Sequence, residues 1–118
     1  MNKQEFLATA LKCEINDDRL KQVESLYKVN VNEIVAKIIS FADTVDFFDE
    51  ERRALSYDEI INASSYFEID VVDLGIIPLI DVYDCSYLVY LTKEDKWARF
   101  STVDKIVYMK KVDIIDVI

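Results

Sequence analysis

The feature that most constrains the fold is a change of residue pattern near Asp70. Before it, apolar residues recur every three or four positions, which is typical of amphipathic helices. After it, β-branched and aromatic residues dominate short runs that indicate strands. These runs are 76–80, 87–91, 97–100 and 106–109. Because helices come first and strands later, without βαβ alternation, we expect an α+β fold. In this fold, we expect the N-terminal helices to pack against a mainly antiparallel sheet of about four to five strands.

Apolar spacing predicts three helices at the start of the chain. Residues 2–13 predict a short first helix, and residues 18–28 carry one apolar stripe that predicts an amphipathic second helix. A third helix is predicted to follow, with Asn30 as its cap and Glu33 in the reciprocal capping position. The predicted buried face of this third helix consists of Ile34, Val35, Ile38, Ile39 and Ala42.

The clearest local signal is a helix start in the middle of the chain. Ser56 and Glu59 match a capping box, and Leu55 and Ile60 are spaced to form a hydrophobic staple. The predicted inner face of this helix consists of Ile60, Ala63, Ser64 and Phe67. The preceding residues 47–55 carry charges between apolar ends and predict at best a solvent-facing edge strand.

The connections between the β-rich runs predict their arrangement. Residues 92–96 form a polar connection of hairpin length, so the strands on either side of it are predicted to be antiparallel neighbours. The run 87–91 is apolar on both faces, which predicts a central strand. Pro78 lacks an N–H donor and predicts an edge strand or a strand end. Residues 112–118 are predicted to close the fold as a short helix.

Length and composition indicate one soluble, cytoplasmic domain. With 118 residues, of which 52% are hydrophobic, we expect a single domain over residues 1–118, with 1–13 as an N-terminal helical extension. Cys13 and Cys85 are too few for a secreted disulfide framework and are predicted to be small buried hydrophobes. No secretory signal is visible, and no stretch approaches the ~20 apolar residues of a membrane span.

The charge balance limits the class of partner. Fourteen basic and 23 acidic side chains give a formal net charge of −9. This sign opposes the contacts to phosphates that nucleic-acid binding needs, so we expect no direct nucleic-acid partner. A basic protein surface would instead be attracted at long range. The alternative is that the acidic charge serves only solubility.

The residue types present leave little catalytic chemistry. Without histidine the chain lacks the usual general base and the commonest metal ligand, and with one glycine it cannot form a phosphate-binding loop. We therefore predict no catalytic residues, no metal site and no cofactor. A carboxylate-dependent hydrolase or magnesium site is the least favoured alternative. The acids among residues 43–51 lack the ligand spacing of a calcium loop and are interpreted as solvated surface charge.

Several short stretches carry a family resemblance. They are the paired helices at 19–28 and 29–41, RALSYDEII at 53–61, GIIPLID at 75–81, YLVY at 87–90, and Trp97. On these stretches the chain resembles the SUKH superfamily, best known as bacterial immunity proteins that neutralise partner toxins. The resemblance implies a SUKH-like fold that blocks a toxin by binding it, without catalysis. One departure is the turn after the proline strand, which is often glycine-rich in the family and is Tyr83-Asp84-Cys85-Ser86 in this chain.

This resemblance suggests a partner-binding site. Exposed tyrosine and tryptophan beside acids make good anchors for a protein partner, here a toxin domain with a basic surface such as a nuclease. The candidate partner-binding residues are Asp81, Tyr83, Asp84, Tyr87, Glu94, Asp95 and Trp97. Two alternatives stay open: most of these aromatic residues belong to the core, or the domain is a housekeeping interaction or scaffold module.

Overall fold

The computed structural model describes residues 1–118, and helices precede the main sheet as predicted. The helices are α1 (Lys3–Leu11), α2 (Asp17–Tyr27), α3 (Glu33–Phe41), α4 (Tyr57–Ile61), α5 (Ala63–Phe67) and α6 (Val71–Leu74). The strands are β1 (Arg53–Ala54), β2 (Ile76–Tyr83), β3 (Ser86–Leu91), β4 (Lys96–Ser101) and β5 (Ile106–Lys111), followed by a 3₁₀ helix at Ile114–Asp116. None of the helices is long and apolar enough to cross a membrane.

The five strands form one antiparallel sheet in the order β1-β2-β3-β4-β5. β3 therefore lies at the centre, as the two apolar faces of residues 87–91 predicted. The hairpin predicted across residues 92–96 is also present, and it pairs Tyr90 of β3 with Trp97 of β4. These observations confirm the α+β fold with N-terminal helices and an antiparallel sheet.

Pro78 lies neither in an edge strand nor at the end of its strand, contrary to our prediction, since it is the third residue of the 8-residue strand β2. β2 lies between β1 and β3, and Pro78 pairs with Val89 of β3. However, β1 pairs only with Ile80 and Asp81, so Pro78 has a strand neighbour on one side alone. A register shift between Pro78 and Ile80 adds an irregularity of the kind at which proline is tolerated. The prediction failed because it assumed a neighbouring strand of full length.

Side-chain caps define the helix starts, and one of them differs from the prediction. Asn32, not Asn30, caps α3, and its side chain accepts a hydrogen bond from the Val35 N–H at 2.9 Å. The capping box at the start of α4 is confirmed. Ser56 Oγ accepts from the Glu59 N–H at 3.1 Å, and Glu59 Oε1 accepts from the Ser56 N–H at 3.1 Å.

Both faces of the sheet are covered, but by different parts of the chain. On one face, Phe67 of α5 packs against Tyr87 and Phe100, with ring centroids 4.6 and 6.3 Å away. Arg99 Nε donates a hydrogen bond to the carbonyl oxygen of Val117 at 2.8 Å. Arg99 and Phe100 are consecutive in β4, so their side chains point to opposite faces. We call these two faces the helix face and the C-terminal face.

The first helix packs on the rest of the domain. Phe6 is fully buried, stacks on Phe48 with ring centroids 4.2 Å apart, and meets Phe41 edge-on at 5.7 Å. Lys3 Nζ donates to the carbonyl oxygen of Ile115 at 3.2 Å, which links the two ends of the chain. α1 thus contributes to the shared hydrophobic core.

β5 forms a long exposed edge of the sheet. Met109, Lys110 and Lys111 are exposed there. Met109 has a positive φ of 54°, and the pairing with β4 shifts register between Trp97 and Arg99. The outer row of backbone donors and acceptors is therefore interrupted in the middle of the strand.

The packing of Phe6 predicts a large stability effect from the N-terminal helix. We expect Phe6→Ala to lower the free energy of unfolding by about 3–5 kcal/mol, because it removes a fully buried ring. Leu11→Ala is the matched control in the same helix, since Leu11 is 44% exposed and lies outside the core, and we expect a change within about 0.5 kcal/mol. Urea unfolding followed by the fluorescence of Trp97, the single tryptophan, measures both. Equal effects of the two variants would show that α1 does not pack as described.

Candidate functional site

The turn between β2 and β3 is the centre of the candidate site. Tyr83, Asp84 and Cys85 have φ values of 103°, 55° and 57°, conformations that cost a non-glycine residue about 1–3 kcal/mol each. Asp81 Oδ1 accepts a hydrogen bond from the Tyr83 N–H at 3.3 Å and so shapes the entry to the turn. Cys85 is exposed and Cys13 is half-buried, so the prediction of two buried cysteines is wrong. The tight turn carries Cys85 outward.

A surface cavity of about 420 Å³ opens beside this turn. Its acidic and aromatic lining, which we call the turn face, consists of Phe47, Glu50, Glu51, Asp81, Tyr83, Asp84 and Tyr87. Phe47 and Tyr83 are 67% and 63% exposed, although both are large aromatic residues. The structure therefore places exposed aromatic surface directly beside four carboxylates.

Arg53 is the one basic residue that lines this cavity, and it is already paired. Its guanidinium donates two hydrogen bonds to the Glu59 carboxylate, at 2.7 and 2.8 Å, and lies 3.9 Å from Asp46 Oδ1. The hydrogen bond with Glu59 raises the pKa of Arg53 and lowers the pKa of Glu59. Because these partners already compensate the cation, the turn face keeps a net negative charge.

Tyr87 lies at the inner side of the turn face. Its ring packs against Phe67, and it pairs across the sheet with Asp81. Burial, and then the nearby Asp81 charge, raise the pKa of Tyr87 above its ordinary value. The phenol is therefore uncharged at neutral pH and can donate a hydrogen bond toward the cavity.

Four of the seven predicted partner-binding residues lie together at this turn: Asp81, Tyr83, Asp84 and Tyr87. Glu94 and Asp95 belong to the turn at the opposite end of β3, and a strand of 6 residues separates the two turns. That length corresponds to about 20 Å.

Glu94 and Asp95 also have partners within the chain. Glu94 Oε2 lies 3.1 Å from Lys110 Nζ. Asp95 Oδ1 accepts hydrogen bonds from the Tyr90 hydroxyl at 2.6 Å and from Asn32 Nδ2 at 3.1 Å. The bond from Tyr90, and then that from Asn32, lower the pKa of Asp95. Asp95 therefore ties the start of α3 to the sheet.

Trp97 does not reach the surface, so its predicted contact with a partner is wrong. Its side chain is 2% exposed and packs against Tyr90, with ring centroids 5.2 Å apart. Trp97 shares the C-terminal face with Arg99, two residues further along β4, and the end of the chain covers that region. Trp97 instead belongs to the core, which was the alternative interpretation of the aromatic residues in this region.

Three residues of the turn face were missing from the sequence-based site: Phe47, Glu50 and Glu51. Residues 47–55 were interpreted as an edge strand with solvated charge, and only the short β1 and one isolated bridge, from Phe47 to Arg53, form there. An apolar residue at the exposed start of an otherwise charged stretch is the signal that could have indicated Phe47. Their proximity to Asp81 depends on the pairing of β1 with β2.

Neither metal-binding side chains nor similarity to known proteins assigns a function to this chain. No group of three or more histidine, cysteine, aspartate or glutamate side chains lies close enough to hold a metal ion. No protein-family model, no curated protein and no solved structure matches this chain. The geometry of the turn face is therefore the observation on which a functional proposal has to rest.

The positive φ values predict that a glycine in the turn is stabilising. We expect Cys85→Gly to raise the free energy of unfolding by about 1 kcal/mol, because glycine adopts this conformation without steric cost. Cys85→Ala removes the same thiol but keeps a Cβ, and we expect it to leave the stability within about 0.5 kcal/mol of the parent. Thermal and urea unfolding compare the variants. Similar stabilities for both would argue against strain in the turn.

The Arg53–Glu59 pair predicts a dependence of stability on pH. The pKa of Glu59 is lowered in the folded protein, so its stabilising effect is complete above the unfolded pKa of about 4.3 and is lost as the pH falls through the folded pKa. We expect Glu59→Gln to cost about 1 kcal/mol at pH 7 and to lose less stability than the parent on acidification. Urea unfolding between pH 7 and pH 3 measures this, with Glu14→Gln as the exposed control. Parallel pH profiles for parent and Glu59→Gln would refute it.

Proposed function

We propose that this chain is a non-enzymatic protein-binding domain, an immunity protein that neutralises a cognate bacterial toxin by direct contact through the turn face. The observation that carries the proposal is the exposure of Phe47 and Tyr83 in the same cavity as four carboxylates that form no salt bridge. Large aromatic residues dominate the binding energy of protein interfaces. A partner protein that covered these exposed aromatic side chains and paired with the nearby charges would therefore gain binding energy from both.

The charge of the turn face supports a basic partner. Glu50, Glu51, Asp81 and Asp84 line one cavity, and none of them lies within 4.0 Å of a basic side chain. A nuclease toxin has a basic surface where it holds the phosphates of its substrate. An acidic, aromatic surface of this kind is complementary to such a site, and it would cover the site without any catalytic group of its own.

The resemblance to the SUKH superfamily is the second support. Two of the stretches that carry it, GIIPLID at 75–81 and YLVY at 87–90, lie on β2 and β3 apart from Gly75, and these two strands border the turn face. The stretches that suggest a toxin-binding role and the exposed surface therefore lie in the same part of the chain. The proposal also includes a cytoplasmic location, where such a partner would act.

The test is association with a basic toxin domain encoded next to the gene for this chain. We expect co-expression of this chain to protect cells from that toxin. We also expect Asp81→Asn/Asp84→Asn to slow association about three- to tenfold at low ionic strength, because the acids steer the encounter. The effect should shrink at about 0.15 M salt. Stopped-flow or surface-based kinetics measure the rate constants.

The matched control is Glu14→Gln/Glu33→Gln, which removes the same charge from exposed positions in the helical half of the chain. Tyr83→Ala should act differently, since loss of an aromatic anchor raises the dissociation rate by about tenfold or more. An unchanged association rate in Asp81→Asn/Asp84→Asn, or an effect equal to that of the control, would exclude the turn face. Unprotected cells would exclude the toxin partner, and a housekeeping binding role would then be the better description.

A further inference from the structure

A second and larger groove lies on the other side of the same turn. Its volume is about 500 Å³, and its lining includes Asp84, Ser86, Val103, Asp104, Ile106 and Tyr108. Ser86 and Tyr87 are consecutive in β3, so their side chains point to opposite faces of the sheet. Tyr87 belongs to the helix face. The groove with Ser86 therefore lies on the C-terminal face, at the end of the sheet that the terminal 3₁₀ helix does not cover.

The base of this groove is polar and ordered. The Ser86 hydroxyl is buried and lies 2.7 Å from the Tyr108 hydroxyl. Ser101 Oγ accepts a hydrogen bond from the Asp104 N–H at 3.1 Å, which fixes the turn between β4 and β5. Each of the hydroxyl oxygens has two lone pairs and so can accept a further hydrogen bond from a bound group.

The walls of the groove combine apolar and acidic side chains. Val103 and Ile106 are 71% and 52% exposed, which is unusual for branched apolar residues. The carboxylates of Asp84 and Asp104 lie within 4.0 Å of no basic side chain. The neighbouring Lys105 does not neutralise them. Its Nζ instead donates a hydrogen bond to the carbonyl oxygen of Phe67 at 3.0 Å, on the helix face of the sheet.

We propose that this groove binds an arginine side chain presented by a partner protein. The aliphatic stem would cover Val103 and Ile106, which removes exposed apolar surface from water. The guanidinium has five N–H donors and would reach the carboxylates of Asp84 and Asp104. Remaining donors would meet the hydroxyl groups at the base of the groove. Arginine fits better than lysine, because the ammonium group has fewer donors and holds its water more strongly.

This binding site extends the proposed function but does not depend on it. The turn of residues 83–85 separates the groove from the turn face, and Asp84 and Cys85 line both cavities. A partner that straddles the turn would place an aromatic contact on one side and an arginine on the other. The groove can be tested without that partner, so its failure is distinguishable from failure of the toxin proposal.

The test is an NMR titration of the full chain with N-acetyl-arginine amide. We expect saturable shifts of the backbone amides of Cys85, Thr102, Val103 and Ile106, with a dissociation constant on the order of a millimolar. N-acetyl-lysine amide should bind several-fold more weakly. N-acetyl-norleucine amide, which has the stem but no charge, should give no saturable shift at these amides.

The variant is Asp84→Asn/Asp104→Asn, in which each side chain keeps its shape and loses its charge. We expect about tenfold weaker binding, because the guanidinium loses two charged acceptors. Asp104→Asn alone keeps the test valid if the double variant does not fold, and Glu14→Gln/Glu33→Gln controls for net charge. Unchanged affinity in the acidic-groove variants would overturn the proposal. So would shifts confined to the turn face, or equal binding of norleucine and arginine derivatives.

Discussion

The structure depends on the burial of β3 on both faces. Leu88 and Val89 are consecutive and point to opposite faces, and both are fully buried. A strand of this kind needs cover on both sides, which a single helical layer cannot supply. The helix face is covered through α5, and the C-terminal segment returns over part of the other face, where Val117 meets Arg99. Both candidate binding cavities lie at the end of β3 where this cover stops.

Most of the fold follows from local patterns that could be interpreted without the structure. The capping box at Ser56 and Glu59, the hairpin between β3 and β4, and the central position of β3 were all predicted correctly. These features depend on residues close together in sequence or on the apolar content of one run. The errors concern contacts that the sequence pattern alone does not specify. Pro78 tolerates an interior strand because β1 is too short to pair beside it, and Asn32 replaced Asn30 because only one of two nearby asparagines meets the first turn of α3.

The candidate site was only partly predictable, because its parts come from separate elements. Asp81, Tyr83 and Asp84 lie within four consecutive residues of the chain, so an acidic, aromatic turn could be inferred from sequence alone. Phe47 joins them through the pairing of β1 with β2, which no local pattern predicted. Conversely, Asp95 is held by contacts to Tyr90 and Asn32 that only the folded chain reveals. Exposed and internally bonded acids have the same appearance in a sequence.

The irregular edge at β5 determines where the sheet ends. A strand approaching from outside would need an unbroken row of partners for its backbone, and the left-handed conformation of Met109 breaks that row. It would also have to desolvate the exposed charged side chains of Lys110, which pairs with Glu94, and Lys111. Growth of the sheet into fibrils through this edge is therefore opposed by backbone geometry and by charge together. The chain can keep a wide apolar sheet at its centre without offering it as a template for aggregation.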